Sequence, residues 1–356
     1  MATTGRSTAS ATPDVESVLA GAEFLRVAAA PTGGSLAAAA TLAAACGERD
    51  VPYQVRVVRG ERALASTDGD ASVVTIGVES PDADASVVAD APNAAFEVAT
   101  GVGANPDPEV AFAGALADGV EPSSAVRDAA GLTRRPGVGV PTADLAAGLA
   151  YSTRVHASFS GDEQAAGAVL ADLDLPAELD DGARRRLASV VALDATDDGT
   201  ERAAERVADV LRPHETPEGV FETVEGFADV LSALAWDAPG VGVALALGRA
   251  DGPAPLDAWR SHAMAAHEAV RRADPARYSG VEVVETDAAH STVARLVREY
   301  RASEPAVLAV GAGVAALATT DADAAAVLPT SAGTARLAVA TVDDESDVTE
   351  TVRGEL

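Results

Sequence analysis

The first 120 residues alternate between short apolar runs with strand character and longer runs with helical character. Phe24–Ala29 and Ser72–Val78 are near-continuous apolar stretches typical of buried strands, and Tyr53–Val58 alternates as a half-buried strand does. An Ala-rich run that ends near Cys46 separates the first two strands, and further helical runs follow from Asn93. This order predicts an α/β fold with a mostly parallel sheet covered by flanking helices.

Strand signals stop near Thr142 and return near Val241. Amphipathic runs of helical spacing between these points predict a helical connector. Beyond them, a strand over 241–247, a long helix over 256–273 and strands over 281–286 and 306–310 predict a second α/β unit. We therefore predict a flexible N-terminus over 1–20, an α/β domain over 21–140, a helical connector over 141–235 and a smaller C-terminal α/β domain over 236–356.

The charge of the chain is strongly acidic. Its 356 residues include 26 basic residues, all of them arginine, and 55 acidic residues, for a formal net charge of −29. An acidic excess is typical of proteins adapted to high salt, where a Debye length of ~3 Å at 1 M screens self-repulsion. A GC-rich genome explains the missing lysine equally well, but not the excess of acid. In a salt-adapted cell an acidic balance does not exclude nucleic-acid binding.

Several common sites are excluded by residue type or spacing. The single cysteine, Cys46, allows neither an internal disulfide nor a cysteine-built zinc site, and its helical run predicts a buried thiol. His262 and His267 are five residues apart on a predicted helix, so we expect them on different faces, exposed or half-buried. Gly311-Ala312-Gly313 indicates a tight hairpin more than a dinucleotide site. No signal peptide or long apolar segment is present, so we expect a cytoplasmic protein.

Four runs in the N-terminal half carry the most specific pattern. They are AAAPTGGSLAAAATLAAACGERDVPYQVRVV, VVTIGVE, VVADAPNAAF and AFAGALADGVEP. In order and layout they resemble the four motifs of the DHH phosphoesterase superfamily, and in particular its archaeal RecJ-like branch. The resemblance implies a DHH-type parallel sheet, a helical connector and a smaller DHH-associated α/β lobe.

The same resemblance implies that most metal ligands are missing. Thr32, Gly33 and Gly34 stand where the first motif has aspartates, and Gly77 stands where the second ends in Asp. The Asp-His-His motif falls on Asp90, Ala91 and Pro92, and the fourth motif ends at Asp118. The metal-ligand candidates are therefore Asp90 and Asp118, as vestigial ligands. Both also suit a helix cap or helix end.

The C-terminal lobe of this family carries a glycine-rich loop that ends in His and helps to hold single strands. Its counterpart here is SAGTARLAVA, with Gly333, Thr334 and Arg336 as candidate nucleic-acid contacts and without the His. Arginine forks to phosphate and stacks on bases. Further candidates are Arg134-Arg135, Arg184–Arg186 and Arg271-Arg272, for which solvated ion pairs are the alternative.

Two functions follow from the resemblance. The first is a catalytically degenerate scaffold or accessory factor in DNA replication or repair, which contacts single-stranded nucleic acid and needs no cofactor. The superfamily has such an inactive member beside the eukaryotic replicative helicase. The alternative is an active Mn²⁺- or Mg²⁺-dependent single-strand 5′–3′ exonuclease or phosphoesterase with a rearranged set of acids: Asp68, Asp70, Glu79, Asp82 and Asp84.

Overall fold

A computed structural model describes residues 11–59, 71–176, 179–197, 199–250, 253–328 and 332–356 of the chain. The N-terminal lobe contains a four-stranded sheet of order β2-β1-β3-β4, in which every pair is parallel. Its elements are α1 (Ala11–Gly21), β1 (Leu25–Ala29), α2 (Gly33–Glu48), β2 (Tyr53–Val57), β3 (Ser72–Ile76), β4 (Ala85–Val87), α3 (Ala91–Gly101), α4 (Pro108–Ala117) and α5 (Ser124–Ala130).

A largely helical region joins the two sheets. Its elements are β5 (Thr133–Arg134), α6 (Leu145–Tyr151), α7 (Glu163–Asp172), α8 (Asp181–Thr196), α9 (Glu201–Val210), β6 (His214–Glu215), α10 (Val224–Asp237), α11 (Pro239–Ala246) and α12 (Pro253–Arg272). Helices α10 and α12 pack on the N-terminal lobe, where Leu231 and Trp259 share one buried core with Phe112. The C-terminal end of this region is therefore part of the N-terminal lobe's packing.

The C-terminal lobe is a six-stranded sheet of order β11-β12-β10-β9-β8-β7, mixed in direction, with β8 and β9 as its parallel pair. Its elements are β7 (Ala276–Arg277), β8 (Val281–Glu285), α13 (His290–Tyr300), β9 (Ala306–Gly311), β10 (Val314–Thr319), α14 (Ala324–Val327), β11 (Ala332–Gly333), β12 (Leu337–Thr341) and α15 (Glu345–Glu355). The predicted fold class, a parallel sheet followed by helices and a second α/β lobe, is confirmed.

Small residues bring the helices of the N-terminal lobe close together. Helix α2 is buried along almost its whole length. A β-carbon on Gly114 of α4 would lie 2.5 Å from that of Ala37 on α2. Because Gly114 has no β-carbon, α4 packs closely against α2. This places Asp118, which follows the last residue of α4, beside the first turn of α2. The local sequence thus determines where the Asp118 carboxylate is placed.

Three expectations from the sequence are corrected. Residues 11–20, expected to be flexible, belong to α1, and its Val15 and Leu19 are buried; residues 1–10 lie outside the described part. The strand expected over 241–247 is helix α11, because an apolar run of this length fits either structure. His262 and His267, expected to be exposed or half-buried, are 4% and 0% exposed. The buried Cys46 and the hairpin at Gly311–Gly313 are confirmed.

Candidate functional site

The turn after β1 and the end of α4 form one side of a cleft between the two lobes. Thr32 caps α2, and its hydroxyl oxygen accepts the Ser35 N–H at 3.1 Å. The Asp118 carboxylate accepts the Gly34 N–H at 2.9 Å and the Thr32 hydroxyl at 3.2 Å. Burial raises the pKa of Asp118 to about 6, although these two hydrogen bonds act in the opposite direction. The first and fourth motifs therefore meet, and their one carboxylate is bonded to the turn itself.

The side opposite Asp118 carries arginines. We call the space between the lobes the interlobe cleft; its charged and polar lining residues are Thr32, Asp118, Arg154, Arg206, Asp229, Ser232, Ser291, Thr292, Arg295, Arg298, Glu299, Thr334 and Arg336. Its volume is about 100 Å³. This is room for a phosphate-sized group.

Glu299 organises three of the arginines. The Glu299 side chain is buried, at 1% exposure, and its oxygens lie 3.1 Å from Arg206 Nε, 3.2 Å from an Arg295 nitrogen and 3.0 Å from an Arg298 nitrogen. These cations hold the pKa of Glu299 below its usual value despite its burial. Arg298 also donates to the Thr319 carbonyl. One carboxylate therefore fixes three guanidinium groups at the cleft wall.

Arg154 is different, because its guanidinium forms no hydrogen bond or ion pair with any residue in the described ranges. Its Nε is fully enclosed without a partner. Burial and the nearby charge of Arg206 lower the pKa of Arg154, although the carboxylates of Asp229 and Glu225 act in the opposite direction. The carboxylate of Asp229, also 1% exposed, is used by the Thr153 N–H at 3.0 Å and the Trp259 indole N–H at 3.0 Å. Asp229 thereby holds the loop that presents Arg154.

The predicted C-terminal contacts lie on the same cleft. Thr334 and Arg336 line it, and Arg336 is exposed at its rim. Gly333 belongs to the edge strand β11, where a β-carbon would lie 2.3 Å from the Leu337 carbonyl oxygen. Residues of this loop and Asp118 therefore line the same cleft from opposite lobes, and the contact of the loop with nucleic acid stays a prediction.

Asp90 does not join Asp118. It lies outside the lining of the interlobe cleft, is exposed, and begins α3 with a left-handed φ of 53°. Its carboxylate accepts the side-chain N–H of Asn93 at 2.6 Å. Gly77 has a φ of 71°, and a β-carbon there would lie 2.4 Å from Ser35 Oγ. The role of Asp90 and Asp118 as vestigial ligands stays a prediction.

The acids proposed above as a rearranged ligand set do not line the interlobe cleft in the ranges that the structure describes. Glu79 and Asp82 are exposed, and Asp84 accepts the Val73 N–H at 2.7 Å. Asp68 and Asp70 lie outside the described residues. Among the described residues, no group of three or more His, Cys, Asp or Glu side chains is arranged to hold a metal ion. The described side chains of the cleft thus do not fit a two-cation site.

The other predicted arginine contacts lie outside the cleft lining. Arg135 and Arg184 both pair with Glu215, at 3.1 and 3.3 Å. Arg271 donates to the Ser160 carbonyl, and Arg272 pairs with Glu268. These arginines therefore form ion pairs, or in the case of Arg271 a hydrogen bond to a backbone carbonyl. The sequence analysis did not identify the cleft arginines 154, 206, 295 and 298. For Arg295 and Arg298, the sequence signal was a group of three charged residues inside the predicted helix 291–300.

The fold of this chain is shared with a solved structure. It is similar to the crystal structure of CDC45 from Entamoeba histolytica, with a TM-score of 0.56 and 7% identity, covering 96% of this chain and 98% of that one. RecJ from Thermus thermophilus in complex with Mn²⁺ matches with a TM-score of 0.46 and 12% identity, covering 99% of this chain and 55% of that one.

Sequence identity to one further protein is much higher than to these solved structures. The uncharacterized protein rrnAC1427 of Haloarcula marismortui is 44% identical over 336 residues, which cover 90% of this chain and 88% of that protein. The family model described as the C-terminal domain of rrnAC1427 matches residues 273–354. The chain belongs to the rrnAC1427 family. No described helix is long and apolar enough to cross a membrane.

Proposed function

We propose that this RecJ-like chain binds phosphate-bearing single strands without hydrolysing them, and serves as a scaffold or accessory factor beside replication or repair proteins. The observation that carries the proposal is the composition of the interlobe cleft. Five arginines line it in a chain of net charge −29. A concentration of guanidinium groups against such a background favours an anionic ligand.

The existing bonds of the cleft carboxylates support binding without hydrolysis. Two-cation phosphoesterase chemistry needs several carboxylates or imidazoles from separate loops around one point. Here the Asp118 carboxylate is bonded to Gly34 and Thr32, and Asp229 and Glu299 are committed to Thr153, Trp259 and the arginines. Binding therefore has better support than catalysis.

Strand binding is tested by fluorescence anisotropy with a labelled oligothymidylate in concentrated KCl. We expect binding that weakens about tenfold in Arg336→Gln, because a contact to phosphate by a charged donor contributes roughly 1.5–3 kcal/mol. The matched control is Arg277→Gln, an exposed arginine outside the cleft lining whose side chain pairs with Glu304. Equal affinity of the wild type and Arg336→Gln would contradict the proposal.

Catalysis is tested in the same buffer by titrating Mn²⁺ calorimetrically and following degradation of the labelled strand. We expect neither saturable Mn²⁺ binding nor 5′ trimming. Trimming that disappears in Asp118→Ala would instead establish the alternative, a Mn²⁺-dependent exonuclease with a rearranged site.

A further inference from the structure

Three side chains from three helices form a hydrogen-bonded chain that ends at the interlobe cleft. His262 of α12 lies between Asp237, the last residue of α10, and Thr292 in the first turn of α13. Its Nδ1 is 2.7 Å from Asp237 Oδ2, and its Nε2 is 2.8 Å from Thr292 Oγ1. The Asp237 side chain is 50% exposed, whereas Thr292 is among the residues that line the cleft. The chain therefore runs from the protein surface to the cleft wall.

The partners of His262 determine where its proton lies. The hydrogen bond from His262 holds the pKa of Asp237 below its usual value, so Asp237 is an ionised carboxylate, which only accepts hydrogen bonds. Nδ1 of His262 therefore carries the proton, and Nε2 of the neutral ring accepts the Thr292 hydroxyl. An imidazole in this tautomer can remove a proton from a hydroxyl while the carboxylate holds the ring in place.

Donors for a developing negative charge lie beside the same hydroxyl. Thr292 is the third residue of α13, and both Ser291 and Thr292 line the cleft. The backbone N–H groups of these two residues have no acceptor within the described part of the chain, as is usual in the first turn of a helix. An acyl group attacked by the Thr292 oxygen would thus develop its negative charge at the positive end of α13.

We propose that Thr292, His262 and Asp237 form a catalytic triad for acyl transfer, with small carboxylic esters as the substrate class. The Thr292 oxygen forms a bond to the acyl carbon while His262 takes the hydroxyl proton. The ester bond then breaks, and His262 gives this proton to the leaving alkoxide. Water, deprotonated by the same imidazole, releases the carboxylic acid and restores the Thr292 hydroxyl. Asp237 contacts only His262 in this scheme and is a positioning residue.

The space at Thr292 limits the acyl group to a small one such as acetyl. Thr292 is 4% exposed, and the cleft has a volume of about 100 Å³. The proposal goes beyond strand binding, because its reaction involves a carboxylic ester and no phosphodiester. It can therefore fail or succeed without any change in the affinity for a labelled strand.

The test is covalent labelling of the full chain with methanesulfonyl fluoride in concentrated KCl, with the adduct located by peptide mass spectrometry. In this small reagent the Thr292 oxygen displaces fluoride from sulfur, and His262 takes the proton. We expect an adduct on Thr292 in the folded protein and none in urea. His262→Gln should react more slowly by roughly 10²–10⁴-fold, the usual contribution of a general base.

The matched pair of variants is Thr292→Val and Thr196→Val. Thr292→Val keeps the shape of the side chain and should not be labelled. Thr196 lies at the end of α8, outside the cleft lining, and its hydroxyl donates to the Ala192 carbonyl, so Thr196→Val should be labelled as the wild type is. Absence of an adduct on Thr292, or equal labelling in the folded and the unfolded protein, would overturn the triad.

Turnover is measured with p-nitrophenyl acetate. We expect hydrolysis above the rate in buffer, lost in Thr292→Val and reduced at least about tenfold in Asp237→Asn, which keeps the shape but not the charge. Asp237→Glu, which keeps the charge, should recover part of the rate; a purely structural role of Asp237 would favour the opposite order. Equal rates in the wild type and Thr292→Val would reject the proposal. Loss of strand binding with ester hydrolysis intact would reject only the proposed function.

Discussion

A β-carbon on Gly34 would lie 2.2 Å from Oδ2 of Asp118. We therefore expect Gly34→Ala to turn the Asp118 side chain away and break its bonds to Gly34 and Thr32. Losing two hydrogen bonds to a partly buried carboxylate should lower the free energy of unfolding by about 2 kcal/mol in urea titrations. Gly167→Ala is the matched control, since a β-carbon there meets nothing within 4 Å. A helical Gly→Ala change in open space should be neutral or stabilising by roughly 0.5–1 kcal/mol. Equal effects of the two changes would show that Asp118 is not held as described.

The raised pKa of Asp118 predicts a pH dependence with a definite sign. Its folded pKa of about 6 lies above the ordinary value of 3.8, so the folded state holds the proton more tightly than the unfolded state. The wild type should therefore lose stability as pH rises from about 4 to about 6, relative to Asp118→Asn, by on the order of 2 kcal/mol. Denaturant unfolding of both proteins across this range measures the difference. A difference that does not vary with pH would contradict the assignment.

At the scale of secondary-structure elements, hydrogen bonds of two histidines connect helix α12 with the loop after α6. His267 Nε2 lies 3.0 Å from the Ser152 carbonyl, so it carries the proton, and His267 Nδ1 accepts from His156 Nδ1 at 3.0 Å. Burial lowers the pKa of His156 to about 4 and that of His267 to about 3. Both rings are therefore neutral in the folded protein.

Two buried neutral histidines make the protein sensitive to acid. Below pH 6.5 the unfolded chain takes up protons that the folded pair refuses, so the contribution of this pair to stability should fall as pH drops from 6.5 toward 4, opposite in sign to the contribution of Asp118. We expect His156→Asn to lose about 1–2 kcal/mol less than the wild type over this interval in denaturant titrations. An identical loss in the two proteins would place the acid sensitivity elsewhere.

The helices and strands of the fold were largely predictable from the sequence, and most arginines of the cleft were not. β1, α2, β3 and α12 follow from apolar periodicity, which depends on local sequence alone. Helix α11 was predicted as a strand because a short apolar run fits either structure, and its packing against Leu36 of α2 is a tertiary contact that the run itself does not indicate.

Local motif order likewise located Asp118 and the Thr334–Arg336 loop. The other cleft arginines converge from α9, α13 and the loop after α6, and Arg154 has no neighbour in sequence that marks it. Such a convergence is a property of the tertiary structure.

For the molecule as a whole, the net charge of −29 predicts that stability depends on ionic strength. Lowering KCl from about 1 M to about 0.1 M lengthens the Debye length from ~3 to ~10 Å and strengthens repulsion between acidic surfaces. We expect the thermal midpoint of the wild type to fall by several degrees. A midpoint that does not change would contradict the interpretation of the acidic excess as an adaptation to salt.

The fit of Asp118 against Gly34 and Gly77 against Ser35 has an evolutionary consequence. Any acid introduced at position 34 would need the volume that the Asp118 carboxylate already fills, and any side chain at position 77 would meet Ser35. No single substitution at these positions can add a ligand while the existing carboxylate stays in place. Each position therefore accepts an acid only together with a second change, in Asp118 for position 34 and in Ser35 for position 77, and the first change alone is disfavoured.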